Sequence, residues 1–247
     1  MKPRFENRAV IITGALGGIG LAVARRFAAE GARLTLLDLN ADQGGEIVAE
    51  LKALGAADVQ SLACDIGDEA AVAAAVQTSV DRHGSLDVVV NVAGQMIYRP
   101  IADLTGDDWR RLLNVNLIGA ALLTGHALRL MQPGGSVVNI ASIHARQTSP
   151  DVAPYAAAKA GLLSLTRTAS IEGRAKGVRV NAILPGAIDT PMLWDSPNIA
   201  SGAEVLAPGD VGQPDDVAGP VLFLASDDAR FVTGVSMEVD GGRLAKL

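Results

Sequence analysis

A single cysteine, Cys64, leaves this chain of 247 residues no internal disulfide. Its stability must therefore come from a packed interior, and a reducing, cytoplasmic setting is expected. Aromatic residues make up only 3% of the chain against 49% for all apolar types, so that interior must be built mostly of Ala, Val, Leu and Ile. Basic runs are lacking and the formal net charge is −6, which argues against a nucleic-acid partner. No charge-free apolar stretch reaches the roughly 20 residues of a membrane-spanning helix, and Met1–Glu6 lack the apolar run of a secretory signal. The three histidines, His83, His126 and His144, are scattered without ligand spacing. No metal site is expected.

What is present is a regular alternation. Short runs rich in β-branched residues recur at 10–12, 34–37, 59–63, 88–90, 136–140, 178–183 and 235–239, separated by longer Ala/Leu-rich stretches of helical period. Several of these runs are continuously apolar, as in strands buried on both faces of a parallel sheet with helices above and below. The alternation continues from end to end with no linker, repeat or low-complexity tract. The pattern predicts one α/β domain over residues 1–247, doubly wound, with a single parallel sheet of about seven strands flanked by helices.

Chemistry-bearing residues gather where the strands end. After the first strand comes Thr13-Gly14-Ala15-Leu16-Gly17-Gly18-Ile19-Gly20. Glycines there permit a tight turn and close backbone approach, and the amides of the following helix N-terminus can hold a pyrophosphate. The spacing of Gly14, Gly18 and Gly20 differs from G-x-G-x-x-G. Asp38 ends the second strand, where a carboxylate can meet adenosine ribose hydroxyls, and no Arg or Lys follows it to receive a 2′-phosphate. Asp65, beside Ile66, either accepts from an adenine amino group or caps the next helix. Asn91-Val92-Ala93-Gly94 ends the fourth strand with small residues that leave room for a cofactor across the sheet edge.

Asn116 falls inside a helical stretch, 107–131, with Gly119 close behind. Both residues cost helix propensity, so something compensates for them. Ser142 follows the fifth strand, at the edge where open α/β sheets bind ligands. Thirteen residues later, Pro154 opens a helix in which Tyr155 and Lys159 stand four apart and so share one face. A phenol beside an ammonium can serve as an acid/base pair, because the positive charge favours phenolate. Pro185-Gly186 opens a long segment with few strong helix signals, expected to form a lid over about 187–214.

Taken together, in this order and at these spacings, these residues resemble the short-chain dehydrogenase/reductase family over nearly the whole length, 8–242. The resemblance implies a Rossmann fold and a tetrad of Asn116, Ser142, Tyr155 and Lys159. In that pattern Tyr155 is the general acid/base and Ser142 binds the same substrate oxygen. Lys159 holds the nicotinamide ribose and, aided by the charge of the oxidised nicotinamide, lowers the Tyr155 pKa by about 2–3 units, and Asn116 anchors a water linking Lys159 to solvent. Gly14, Leu16, Gly18, Ile19, Gly20, Asp38, Asp65, Ile66, Asn91, Ala93, Gly94, Pro185, Gly186, Ile188 and Thr190 would surround the cofactor, with Ile188 and Thr190 at its carboxamide. The family also implies a dihedral homotetramer. Val92 departs from the family pattern, which more often has a second Asn there, and Leu16-Gly17 replace small polar or basic residues.

The leading expectation is an NAD-dependent dehydrogenase of a secondary alcohol. Gln95, Met96, His144, Gln147, Leu193 and Trp194 fall at pocket positions of the family, and their mixture of amides and imidazole suits a small hydroxylated substrate such as a sugar or polyol. An NADPH-linked 3-oxoacyl carrier-protein reductase shares the fold but is disfavoured by Asp38. A non-catalytic dinucleotide-binding regulator is disfavoured by the complete tetrad.

Overall fold

Each of the seven β-branched runs forms a strand of one sheet, in a computed structural model that describes residues 3–40, 44–202, 204–207 and 209–246. The first six are β1 (Ala9–Thr13), β2 (Arg33–Asp38), β3 (Asp58–Ala63), β4 (Val88–Asn91), β5 (Ser136–Ile140) and β6 (Arg179–Pro185). Two short strands, β7 (Ala187–Ile188) and β8 (Val211–Gly212), pair separately, and β9 (Ser236–Val239) completes the main sheet. The order is β3-β2-β1-β4-β5-β6-β9, parallel throughout. The order in which strands are added reverses between β1 and β4, which opens a crevice beyond their carboxyl ends.

Both faces of the sheet are covered, as the continuous apolar runs require. Val10 and Ile12 of β1, with Val88 and Val90 of β4, enter one core, while Ile11 and Val89 enter the other. The first core includes Val23 and Phe27 from α1 (Gly18–Ala29), Leu51 from α2 (Gly44–Ala53) and Val221 from the helix over Pro214–Ala225. Phe27 meets Phe5 edge-on at 4.6 Å between ring centres, an aromatic contact that a chain poor in such residues spends on closing the sheet's amino end. The second core takes Val76 from α3 (Glu69–His83) and Leu123 from the helix after β4.

That helix is not continuous over 107–131 as the periodicity suggests. It runs as α4 (Gly106–Leu113), a π turn over Asn114–Ile118, and α5 (Gly119–Leu130). Gly119 is needed where it lies, because a Cβ there would sit 2.6 Å from the Ile66 carbonyl oxygen. The π turn, with Asn116 inside it, and this close approach account for the two poor helix formers.

The helix bearing Tyr155 is α6 (Ala153–Arg174), with Pro154 in its first turn. The segment after β6 carries more structure than its sequence suggests. It holds β7, two single-turn helices, α7 (Pro191–Trp194) and α8 (Pro197–Ala200), and β8, before α9 begins at Pro214 and runs to Ala225. Among the described residues no helix is long and apolar enough to cross a membrane, and no group of acidic, His or Cys residues could hold a metal ion.

Candidate active site

The carboxyl ends of β1, β2, β4, β5 and β6 border one cleft of about 830 Å³, whose lining extends from Asp38 and Asp65 at one end to Tyr155, Ser142 and His144 at the other. Its size suits a ligand larger than a simple metabolite. At the near end the glycine-rich turn is packed against the neighbouring strand. Gly14 holds φ +59°, and Gly20 touches it so closely that a Cβ would lie 2.0 Å from the Gly14 carbonyl oxygen. Thr13 Oγ1 accepts from the amides of Val92 and Ala93 at 3.0 Å each, tying the end of β1 to the end of β4. Gly17, the residue before α1, places no side-chain cap on the helix amides. The N-terminus of α1 is left for an anion.

Asp38 lies at the rim. Its Oδ2 accepts from the Leu16 amide at 3.1 Å, so the carboxylate is already turned toward the glycine-rich turn. Asp65 accepts from the Gly67 amide at 2.8 Å, and the cap of α3 is Asp68, which accepts from Ala70 and Ala71. The capping alternative for Asp65 is thereby excluded. Leu16, Gly18, Ile19, Ile66, Ala93, Gly94, Pro185, Gly186, Ile188 and Thr190 also line the cleft.

Two expected cofactor residues do not. Asn91 lies beneath the floor, 4% exposed, and its Nδ2 donates to Asn139 Oδ1 at 2.8 Å across the β4–β5 register. Gly20 is likewise absent from the lining, buried behind Gly14. Both shape the site from behind.

At the far end α6 projects Tyr155 and Lys159 inward, 8% and 3% exposed. Lys159 Nζ lies 5.5 Å from the Tyr155 ring centre and donates to the Ile140 carbonyl at 2.9 Å. Ser142, just after β5, accepts from the His144 amide at 3.2 Å, and its hydroxyl lies close enough to the Tyr155 phenol to favour the ionised form. His144 meets Tyr155 edge-on at 5.9 Å and pairs with Thr148 Oγ1 at 3.0 Å. Asn116 does not line the cleft. Its Nδ2 donates to the carbonyls of Gln95 and Leu112 at 3.0 Å, and its Oδ1 accepts from the Gln95 amide at 3.2 Å. The π turn thus delivers an amide that fixes the loop after β4.

Burial governs the electrostatics here. It pushes the Tyr155 phenol up to about 12, the Ser142 hydroxyl opposing, and draws Lys159 down to about 8. Burial thus works against the depression expected from Lys159 and an oxidised nicotinamide acting together. With water excluded, losing solvation of the phenolate outweighs the stabilisation offered nearby. Burial also lowers the pKa of His144, keeping it neutral near pH 7.

Of the expected substrate positions, Gln95, Met96, His144, Gln147 and Leu193 line the cleft. Trp194 does not. It is 53% exposed, and its Nε1 donates to Asp189 Oδ1 at 2.7 Å on the outside of the roof. Tyr98, Met192, Ser196, Ile199, Glu204 and Arg243 take its place. They come from three segments far apart in the chain, and no local pattern marks them.

Fold and cleft define the class as a doubly wound dinucleotide-binding protein with a Ser, Tyr and Lys at the far end of the cleft. A family model described as enoyl-(acyl carrier protein) reductase matches residues 14–243. Cis-4-hydroxycyclohexanecarboxylate dehydrogenase of Sinomonas cyclohexanicum is 39% identical over 252 residues, covering 99% of this chain and 100% of its own. Meso-2,3-butanediol dehydrogenase of Serratia marcescens is 35% identical over 245 residues, covering 98% and 96%. The crystal structure of a short chain dehydrogenase from Burkholderia cenocepacia J2315 in complex with NADP is similar at a TM-score of 0.90, with 31% identity and 96% and 98% coverage. The chain belongs to the short-chain dehydrogenase/reductase family, oxidoreductases that use a nicotinamide dinucleotide.

Proposed function

We propose that this protein is an NAD(H)-dependent dehydrogenase that interconverts a secondary alcohol and a ketone, its substrate a small hydroxylated molecule of the sugar or polyol kind. One observation carries the reading: Ser142, Tyr155 and Lys159 converge at one end of a cleft whose other end is Asp38. The residues present fit the dinucleotide. The uncapped N-terminus of α1 suits its pyrophosphate, and the closeness of Gly20 to Gly14 draws the backbone tight there. Asp38 would accept from the adenosine ribose hydroxyls, and Ile188 and Thr190 would flank the nicotinamide. When bound, the nicotinamide takes up or gives hydride.

The protein's own part is proton transfer and alignment. In ketone reduction the Tyr155 phenol, protonated at neutral pH, gives its proton to the carbonyl oxygen while Ser142 donates a hydrogen bond to the same oxygen. In alcohol oxidation the phenolate receives the hydroxyl proton. Because burial holds the phenol high, oxidation needs the positive charge of the filled site, and its rate should rise with pH. Lys159 would hold the nicotinamide ribose, and Asn116 keeps the floor loop in place.

The segment 187–214 would act as a lid, hinged where Asp189 Oδ2 takes Gln213 Nε2 at 3.2 Å. Ala157 and Ala160 face outward on α6, and Phe231 is 99% exposed. These surfaces support a dihedral homotetramer, to be checked by light scattering, in a cytoplasmic protein. The functional test is a panel of polyols, sugars, hydroxy acids and cyclic alcohols with NAD⁺ and NADP⁺, read as reduced-cofactor fluorescence. Turnover of polyols with NAD⁺ is expected; inactivity toward every secondary alcohol with both cofactors would overturn the reading.

A further inference from the structure

Arginines on this protein pair with carboxylates mainly at the surface. Among the described residues every other ion-paired arginine has a side chain at least 32% exposed, whereas Arg243 and Glu204 are 15% and 19% exposed. Their pair, Arg243 Nη2 to Glu204 Oε1 at 2.5 Å, joins segments 39 residues apart. Burying two charges costs desolvation that their attraction barely offsets, so such a pair is poorly explained as a stabilising device.

Its position offers another explanation. Both side chains line the cleft. The Glu204 carboxylate raises the pKa of His144 and the Arg243 guanidinium lowers it, and Glu204 also acts on the Tyr98 phenol. Leu244, the neighbour of Arg243, packs on the cluster that holds Ile143, the neighbour of His144, which places the pair toward the Tyr155 end of the cleft. Their one mutual hydrogen bond leaves Glu204 Oε2 and the remaining guanidinium donors without a protein partner among the described residues. Met96, Met192, Leu193 and Ile199 supply apolar lining to the same cleft.

We propose that Glu204 and Arg243 bind a second hydroxyl of the substrate, selecting diols and polyols over simple secondary alcohols. The inference rests on the dehydrogenase reading and names its substrate class. A hydroxyl donates and accepts at once, so it bridges Oε2 and a guanidinium N–H and satisfies both. An alkyl group at the same place leaves both charged groups unsolvated. A carboxylate would compete with Glu204 for the guanidinium and meet its charge. The pair is neutral overall and suits a neutral ligand.

The test compares kcat/KM with NAD⁺ for meso-2,3-butanediol, 2-butanol and 3-hydroxybutyrate, in the wild type and in Glu204→Gln and Arg243→Gln. The wild type should prefer the diol to 2-butanol at least tenfold. Each variant should lower that ratio about 10- to 100-fold, chiefly through KM. Glu204→Gln should also raise kcat/KM for the hydroxy acid about tenfold, a gain that a merely structural latch would not produce. Equal losses on both alcohols, or a ratio changed less than threefold, would overturn the inference. So would a wild type that turns over 2-butanol without favouring the diol, a result that leaves the dehydrogenase reading standing and needs no variant to fold. No turnover of any of the three with NAD⁺ or NADP⁺ would overturn the inference, and inactivity toward every other secondary alcohol of the panel as well would overturn both.

Discussion

Replacing Lys159 by Met should stabilise the cofactor-free protein at neutral pH while removing its function. The folded-state pKa of Lys159 is about 8 against an ordinary 10.5, burial being the cause. A depressed lysine pKa means that the unfolded chain binds the proton more tightly than the folded one. The resulting cost is fully present below pH 8 and fades as pH rises toward 10.5. The shift of about 2.5 units corresponds to about 3 kcal/mol. Against this, the variant loses the bond from Nζ to the Ile140 carbonyl, a contribution of about 1–2 kcal/mol once the buried oxygen is left without its partner. The net gain at pH 7 is about 1–2 kcal/mol, a rise in Tm of about 2–8 °C for a chain of this size. As pH rises through 10.5 the lysine becomes neutral in both states, the lost hydrogen bond outweighs what remains of the cost, and the variant should be the less stable. Thermal unfolding of both proteins across pH 6.5–10.5 should therefore give stability curves that cross. Parallel curves, or a variant less stable at every pH, would refute the assignment of a buried, desolvated ammonium. Cofactor affinity and turnover should both fall in the variant, because one side chain is assigned both tasks.

Tyr155→Phe should reduce turnover by at least a thousandfold and leave NAD affinity within about threefold, as measured by steady-state rates and fluorescence titration; residual activity within tenfold of wild type would contradict the acid/base role. NAD should be favoured over NADP by about 30- to 1,000-fold in kcat/KM. Two like charges about 4 Å apart at an effective dielectric near 20 repel by about 4 kcal/mol, which solvent at the rim reduces to about 2–4 kcal/mol. Asp38→Ala should narrow that preference mainly by admitting NADP, and equal efficiency in the wild type would remove Asp38 from the ribose. Gly20→Ala places a Cβ 2.0 Å from the Gly14 carbonyl oxygen, so the turn must shift; a lowered Tm and cofactor affinity weakened at least tenfold are expected, and unchanged binding by calorimetry would show that the turn does not hold the ligand.

What could be read from the chain alone was whatever depends on neighbours in sequence. Strand runs such as 10–12 and 88–90 declare burial on both faces by their continuous apolar character, and seven of them declare the sheet. The glycine-rich turn, Ser142 at a strand end and the four-residue interval from Tyr155 to Lys159 are local patterns as well, and the family likeness they carry supplied the residue roles. Packing between distant segments decided the rest. The π turn that aims Asn116 at Gln95 depends on how α4 and α5 meet the β4 loop, and the Gly119 contact with Ile66 depends on α5 meeting the end of β3. Asn91 and Gly20 sit at the expected positions, yet lie behind the lining because the strand register and the tightness of the turn bury them. Trp194 turns outward to Asp189, and Glu204 meets Arg243 from 39 residues away. The upward displacement of Tyr155 and the downward displacement of Lys159 belong to the same category. Spacing can place a phenol and an ammonium on one helix face, but only the closed tertiary packing removes the water whose loss sets their proton affinities.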